Sequence, residues 1–359
     1  MARILVTGAT GFIGQHVVKQ LAGRGHQLSC FVRDRTKAKS IESCCDDMFI
    51  GDVTNVTDVA RAVGKQDVVI HLAGVTKSPK TKLMQRVNVE GSHNIARTCA
   101  AKLSPPVLLH VSSLAAAGPS SIDNPRTEQQ AETPVSNYGK SKLEGEQAVQ
   151  EFANQVPISI LRPGIVMGEG DRDVFELFGS VSRLGFVLNP GWRDNRFSFL
   201  HVWDLVSALE VVLEKGERVD GDTPGSGRYF AGDPKFLTFA EIGNMIGKVL
   251  SKKRVVSVYS PNWLIWSFAA ICELGSAVAR RPFILNLDKA REATAGSWHC
   301  DVQKLVDIGF QPEPMMRRLA QTADWYRNEG WIKSKPAQPV GSWASSSQDR
   351  VSSSREQSA

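Results

Sequence analysis

Residues 7–14 read Thr7-Gly8-Ala9-Thr10-Gly11-Phe12-Ile13-Gly14. They follow a short apolar run, Ile4-Leu5-Val6, and open a helical pattern from Phe12 to Gly23. Glycines at this spacing between a strand and a helix let the backbone turn tightly and approach a pyrophosphate. The phosphates then meet the free N–H groups and the positive dipole end of the helix. The context carries the reading, because a glycine-rich loop elsewhere is only a tight turn. Gly8, Thr10, Gly11, Phe12, Ile13 and Gly14 are the expected dinucleotide contacts of this loop.

The same alternation continues outward. Leu28–Val32 precedes a helix at Val56–Val63, and Val68–Ala73 precedes one near Met84–Ala101. Val107–Ser112 is followed by a loop, a helix near Asn137–Ala153 and a further strand at Ile158–Leu161. The strands are continuous apolar runs, as expected for a parallel sheet covered on both faces. Repeated βα units with right-handed crossovers predict an α/β fold with a Rossmann-type doubly wound sheet. Beyond Arg162 helices dominate, at Leu205–Glu214, Phe239–Leu250, Trp263–Ala279 and Met315–Arg327. The expected organisation is a cofactor domain over 1–162 and a smaller, mostly helical substrate-side region over 163–331, interleaved with the sheet. A disordered tail is expected over 332–359, whose last eighteen residues include eight serines.

Composition agrees with an ordinary globular chain. Of 359 residues, 42% are hydrophobic and 22% charged, which excludes a wholly disordered chain, a collagen and a small disulfide scaffold. The net charge of +6 is spread out, and no basic stripe is interleaved with aromatics, so no nucleic-acid partner is expected. None of Cys30, Cys44, Cys45, Cys99, Cys272 and Cys300 forms a C-x-x-C pair. Neither a metal site nor a redox dithiol is read, and free thiols in a reducing compartment are expected. Met1-Ala2-Arg3 runs straight into the first strand without a leader pattern, so a cytoplasmic location is expected. The most apolar stretch, 263–279, contains Glu273 and is short for a membrane span. Leu264, Phe268, Ile271, Gly275 and Val278 recur in it at helical spacing. An amphipathic helix is expected, with peripheral membrane contact as the alternative.

The end of the second strand bears on the cofactor. NAD enzymes usually place an acid there for the ribose 2′-hydroxyl, but the position is Val32, followed by Arg33 and then by Arg35, Lys37 and Lys39. Arg33 with Lys37 suits a 2′-phosphate and favours NADP. In the alternative, Asp34 takes the ribose and the cofactor is NAD.

Tyr138 and Lys142 lie four residues apart in Tyr138-Gly139-Lys140-Ser141-Lys142, so on a helix they share a face. A neighbouring ammonium lowers the pKa of a phenol and brings it towards acid–base work. Ser113 ends the Val107–Ser112 strand region 25 residues earlier. Its hydroxyl is expected to hold the substrate oxygen, with Ser112 taking a strand-end hydrogen bond.

With these residues in place, the chain resembles an extended short-chain dehydrogenase/reductase, the group of NAD-dependent epimerase/dehydratases, 3β-hydroxysteroid dehydrogenases and dihydroflavonol reductases. The resemblance covers residues 1 to about 331 and rests on 7–14, Gly51-Asp52-Val53, His71-Leu72-Ala73-Gly74, Asn88-Val89-Glu90-Gly91, Ser113, Tyr138 with Lys142, Leu161-Arg162-Pro163-Gly164 and His201-Val202-Trp203-Asp204-Leu205. It implies that Asp52 and Val53 approach the adenine and that Leu72, Ala73 and Gly74 line the cofactor. It also implies that Asn88 braces its helix, that Pro163 flanks the nicotinamide, and that Lys142 anchors the ribose while tuning Tyr138. His71 is expected in the core, and His201 with Asp204 at the junction of the two regions.

Nucleotide-sugar members of this group usually carry an arginine in the pattern Arg-Asp-Phe-x-His-Val; here that place is Phe197, with Arg196 one residue earlier. A one-residue shift on a strand points to the other face. The expected activity is therefore hydride transfer between a nicotinamide and an apolar alcohol or ketone, steroid- or dihydroflavonol-like. A nucleotide-sugar 4-epimerase or dehydratase is the alternative, and a non-catalytic NADP-binding protein the second. A small-molecule substrate is expected throughout. A homodimer through the Met84–Ala101 and Asn137–Ala153 helices is the family-based expectation.

Overall fold

A computed structural model of the chain describes residues 1–76, 81–279 and 286–333. Its strands are β1 (Arg3–Thr7), β2 (Gln27–Val32), β3 (Asp47–Ile50), β4 (Val68–His71), β5 (Val107–Val111), β6 (Ile158–Pro163), β7 (Ile165–Met167), β8 (Phe186–Pro190), β9 (Phe199–His201), β10 (Arg228–Ala231) and β11 (Val256–Ser260). Its α-helices are α1 (Phe12–Ala22), α2 (Val56–Val63), α3 (Thr81–Met84), α4 (Gly91–Ala100), α5 (Leu114–Ala117), α6 (Asn137–Gln150), α7 (Phe175–Leu184), α8 (Val202–Lys215), α9 (Phe239–Val249), α10 (Asn262–Ala279), α11 (Leu287–Thr294), α12 (Gln303–Asp307) and α13 (Met315–Asn328).

Among the described residues one parallel sheet holds seven strands in the order β10-β6-β5-β4-β1-β2-β3. The strand order reverses between β1 and β4, and ligands of doubly wound sheets bind at the carboxyl ends beside such a reversal. The central strands are covered on both sides, with four of five residues of β1 and all six of β6 buried. One apolar cluster, including Val17, Leu21, Leu205 and Leu209, packs α1 and α8 on one face; another, including Val59, Val63, Ile95 and Val149, packs α2, α4 and α6 on the other.

Three features depart from the sequence reading. First, β3 lies between β2 and α2, where no strand is expected; its four residues pair with β2 at the sheet edge. Second, Cys30 and Cys45 form a disulfide, so these two are not free thiols; Cys44, Cys99, Cys272 and Cys300 are free. Cys45 follows two short helical turns that fold the chain back from β2, a proximity that spacing does not encode. Third, the segment expected as one helix over Met84–Ala101 is α3, a π-helical turn (Gln85–Glu90) and α4. Residues after Arg162 contribute β10 to the main sheet and form two smaller two-stranded sheets, β11–β8 and β7–β9. A second apolar core includes Phe178, Phe199, Phe230, Ile246 and Tyr326. The stretch read as a disordered tail lies, from residue 334, outside the described residues. None of the described helices is long and apolar enough to cross a membrane.

Candidate active site

The glycine loop lies between β1 and α1, at the strand-order reversal. Gly8 has φ +69°, and a Cβ there would stand 2.7 Å from the Ala73 nitrogen. A Cβ on Gly14 would run into the Gly8 carbonyl. Only glycine satisfies both positions. The Gly11 N–H closes the turn on the Gly8 oxygen at 2.9 Å, and Gly11, as N-cap of α1, supplies no capping side chain. The first-turn N–H groups around Phe12 and Ile13 are thus left for an anionic ligand, with Thr10 beside them. This cradle fits a dinucleotide pyrophosphate.

The walls of the candidate cofactor site come from neighbouring strand ends. Leu72, Ala73 and Gly74 follow β4, and the Ala73 N–H donates to Thr7 Oγ1 at 3.2 Å. Arg33 and Lys37 are exposed beyond β2. Asp34 caps its own turn, accepting from the Thr36 N–H at 2.9 Å and the Thr36 hydroxyl at 2.7 Å. Asp52 likewise accepts from the Thr54 N–H and hydroxyl, both at 2.9 Å, while Val53 is buried. Pro163 ends β6 and is buried. His71 is a core residue, held by Thr7 Oγ1 at 2.7 Å and Ser92 Oγ at 3.1 Å; burial lowers its pKa to about 3, so it stays neutral. His201 and Asp204 sit at the junction: His201 contacts Thr322 Oγ1 at 3.1 Å, and Asp204 pairs with Arg318.

Ser113 caps α5, accepting from the Ala115 N–H at 3.1 Å, and its hydroxyl lies near enough to the Tyr138 phenol to lower its pKa. Ser112 takes a strand-end hydrogen bond through its backbone. Its backbone N–H reaches the Leu161 oxygen at 2.7 Å, whereas its buried hydroxyl has no partner among the described residues. Asn88 lies in the π-helical turn, a geometry frequent at functional sites. Its side chain accepts from the Val75 N–H at 2.7 Å, and donates to the Val75 oxygen at 3.0 Å and Ser141 Oγ at 2.9 Å. It therefore ties the strand end after β4 to α6, which carries Tyr138 and Lys142.

Lys142 is buried, and its ammonium donates to the Val111 oxygen at 2.8 Å. A Cβ on Gly74 would lie 4.0 Å from Lys142 Nζ, so the ammonium faces the cofactor wall. Burial lowers its pKa to about 8, against the opposing pull of Glu146. Lys142 is thus mostly cationic at neutral pH and loses its charge as pH rises through about 8. Affinity for the dinucleotide is expected to weaken over that range, and a Lys142→Met variant to bind more weakly without the same inflection. Titrating bound reduced cofactor by fluorescence at several pH values checks this; a flat wild-type profile contradicts it.

The cation acting on the Tyr138 ring is a different one. Lys289 Nζ, on α11, stands 5.5 Å from the ring centroid and is paired with Glu292 at 2.6 Å. Glu292 also accepts from the Ser136 hydroxyl at 2.6 Å. Asp288 accepts from the N–H groups of Asn137 at 2.7 Å and Tyr138 at 3.1 Å, placing a carboxylate at the positive end of α6. Burial raises the Tyr138 pKa, and the Ser113 hydroxyl and Lys289 pull it back only in part. The phenol therefore keeps its proton at neutral pH. Asp288, Lys289 and Glu292 follow no motif near Tyr138, and the helix-start pattern Asn286 to Lys289 is the only local sign of α11.

The residues matching the nucleotide-sugar phosphate clamp are not arranged for an anion. Phe197 is buried, bridging backbone to Leu237 and Trp298 and packing edge-on against Phe239 at 4.6 Å. Phe178 is fully buried against Tyr326. Trp192 is exposed, and Trp298 is buried with its indole N–H on the Glu292 oxygen at 2.8 Å.

A doubly wound sheet, a phosphate-cradling glycine turn at its switch point and a Ser–Tyr–Lys group beside it define a nicotinamide-dependent enzyme class. The family model for the NAD dependent epimerase/dehydratase family matches residues 4–224, and the chain belongs to that family. A ceramide reductase of Caulobacter vibrioides is 28% identical over 332 residues, covering 92% of this chain and 96% of that protein. A decarboxylating sterol-4-alpha-carboxylate 3-dehydrogenase of Dictyostelium discoideum is 22% identical over 313 residues, covering 81% and 94%. The solved UDP-glucose 4-epimerase of Thermotoga maritima superposes with a TM-score of 0.71 at 19% identity, covering 91% of this chain and 99% of that one, and shares the fold. The chain is an NAD(P)-dependent oxidoreductase of the extended short-chain type.

Proposed function

We propose that the protein transfers hydride between NADP and an apolar alcohol or ketone of steroid- or dihydroflavonol-like character. The grouping of Ser113, Tyr138 and buried Lys142 at one end of the sheet carries this reading. The bound nicotinamide supplies or accepts the hydride. Ser113 holds the substrate oxygen, Tyr138 gives or takes its proton, and Lys142 holds the nicotinamide ribose. Because burial keeps the Tyr138 phenol protonated, the site suits reduction, in which the nascent alkoxide needs a proton. Buried Phe197 supports an apolar substrate over a nucleotide sugar. Two relatives named for a ceramide and a sterol substrate lean the same way. The reading includes a cytoplasmic enzyme, a homodimer through the Met84–Ala101 and Asn137–Ala153 segments, and peripheral membrane contact through 263–279.

NADP is favoured because Asp34 is turned onto Thr36, leaving exposed Arg33 and Lys37 to face a 2′-phosphate. Arg33→Ala is expected to reduce the preference for NADPH over NADH by about 10- to 100-fold, the worth of a charge-assisted phosphate contact. Unchanged preference would remove Arg33 from the cofactor site. A panel of alcohols and ketones assayed with both cofactors, following reduced-nicotinamide absorbance, tests the activity. Turnover of a nucleotide sugar without net cofactor consumption would replace it with epimerisation. Cofactor binding with no reaction across the panel would favour a non-catalytic role.

A further inference from the structure

The helix expected to bury its apolar stripe does not. α10 packs through Ile265 and Ala269 onto Leu287 and Ala290 of α11. On its other sides Trp263, Phe268, Ile271 and Leu274 are 68%, 57%, 65% and 72% exposed. Soluble monomers rarely leave so many large apolar side chains together in water without a binding role. The surface continues past the helix. Leu188 of β8 and Val258 of β11 are register partners and both exposed, so the two-stranded β11–β8 sheet also shows an apolar face. It joins α10 through Pro261, where the Gly191 N–H meets the Ser260 oxygen at 2.8 Å. Exposed Trp192 and Trp263 lie next in sequence to the contacting residues Gly191 and Asn262.

The charge of this segment selects an occupant. Lys248, Lys253 and Arg254 are exposed around the start of β11, and α10 carries one charged residue, Glu273. Glu273 is exposed and accepts from the Leu287 N–H at 3.0 Å, so its charge is partly engaged. An apolar helix with tryptophans and a cationic flank matches a bilayer of anionic lipids, where the aromatic and aliphatic groups enter the interface and the cations meet the headgroups. No described helix can cross such a bilayer, so the contact lies on it.

We propose that the α10 face and the adjoining β11–β8 sheet dock the enzyme on membranes carrying anionic phospholipids. The docked face is one helix away from the chemistry: α10 is packed on α11, whose Asp288 and Lys289 hold and face Tyr138. Docking places the substrate side of the site against the bilayer. The docking deepens the membrane contact read for 263–279, and that last step rests also on the reading of the substrate as apolar.

Cosedimentation of the full chain with phosphatidylcholine vesicles, with and without phosphatidylglycerol, tests the docking. The expected result is binding to the phosphatidylglycerol vesicles, weakened by salt and reduced at least about tenfold in a Phe268→Asp, Ile271→Asp variant. Both positions are exposed, so the variant should keep its thermal midpoint and its cofactor affinity, which confirms an intact fold. Three outcomes overturn the proposal: no binding to either vesicle, undiminished binding by the variant, or a lipid-free dimer that the same substitutions dissociate. None of them depends on turnover, so the docking can fail while the proposed reaction stands, and the reverse.

Discussion

Replacing Tyr138 by phenylalanine is expected to lower kcat by about 100- to 10,000-fold, the usual worth of a positioned acid or base. NADPH affinity should change little. The substitution removes one oxygen and leaves the ring under Lys289 and the N-terminal turn of α6 on Asp288. The glycine turn and Lys142, the groups assigned to the cofactor, do not touch that oxygen. Ser113 keeps the Ala115 N–H at 3.1 Å, so the end of β5 stays in place. Single-turnover rates separate chemistry from binding: the hydride step should slow while the dissociation constant holds. Turnover within tenfold of wild type would remove Tyr138 from the reaction. An equal loss of cofactor affinity would point instead to a collapsed site.

Much of the cofactor half was legible in the sequence because its determinants are local. A turn that only glycine can make, a strand before it and a helix after it occupy adjacent residues, and Tyr138 and Lys142 meet by helical spacing alone. The missing parts are long-range. β3 has only four residues, lies at the sheet edge, and is half exposed, with Met48-Phe49-Ile50 as its whole apolar run. The Cys30–Cys45 disulfide depends on how the chain returns from β2. The role expected of Lys142 is divided in the structure: Lys142 binds the Val111 oxygen, and Lys289, 147 positions further on from Lys142 in the sequence, faces the phenol. The exposed stripe of α10 shows the limit of periodicity, which finds a helical face but cannot say whether protein covers it.

The same helix that presents Tyr138 and Lys142 rests on a buried ion pair, where the largest stability effect is expected. Arg162 on β6 and Glu146 on α6 are both fully buried, joined by bonds of 2.9 Å from Nε and 2.5 Å from Nη2. Glu132 adds a bond of 2.8 Å to the same guanidinium, and Nη1 has no partner among the described residues. The pair holds the guanidinium charged despite burial, raising its pKa further. Glu146→Leu leaves that charge in the core with Glu132 as its remaining carboxylate. Breaking a buried pair from one side costs about 3–5 kcal/mol, because the partner stays charged and desolvated. Arg162→Met combined with Glu146→Leu removes both charges and keeps much of the volume, so the double variant should recover most of the loss. Denaturant unfolding of the wild type, both single variants and the double variant measures the coupling. Additive losses would show that the pair contributes by packing alone. Coupling of the expected sign would show that α6, and with it the Ser113–Tyr138–Lys142 geometry, is fixed to the sheet by a charge pair that neither residue type alone can replace.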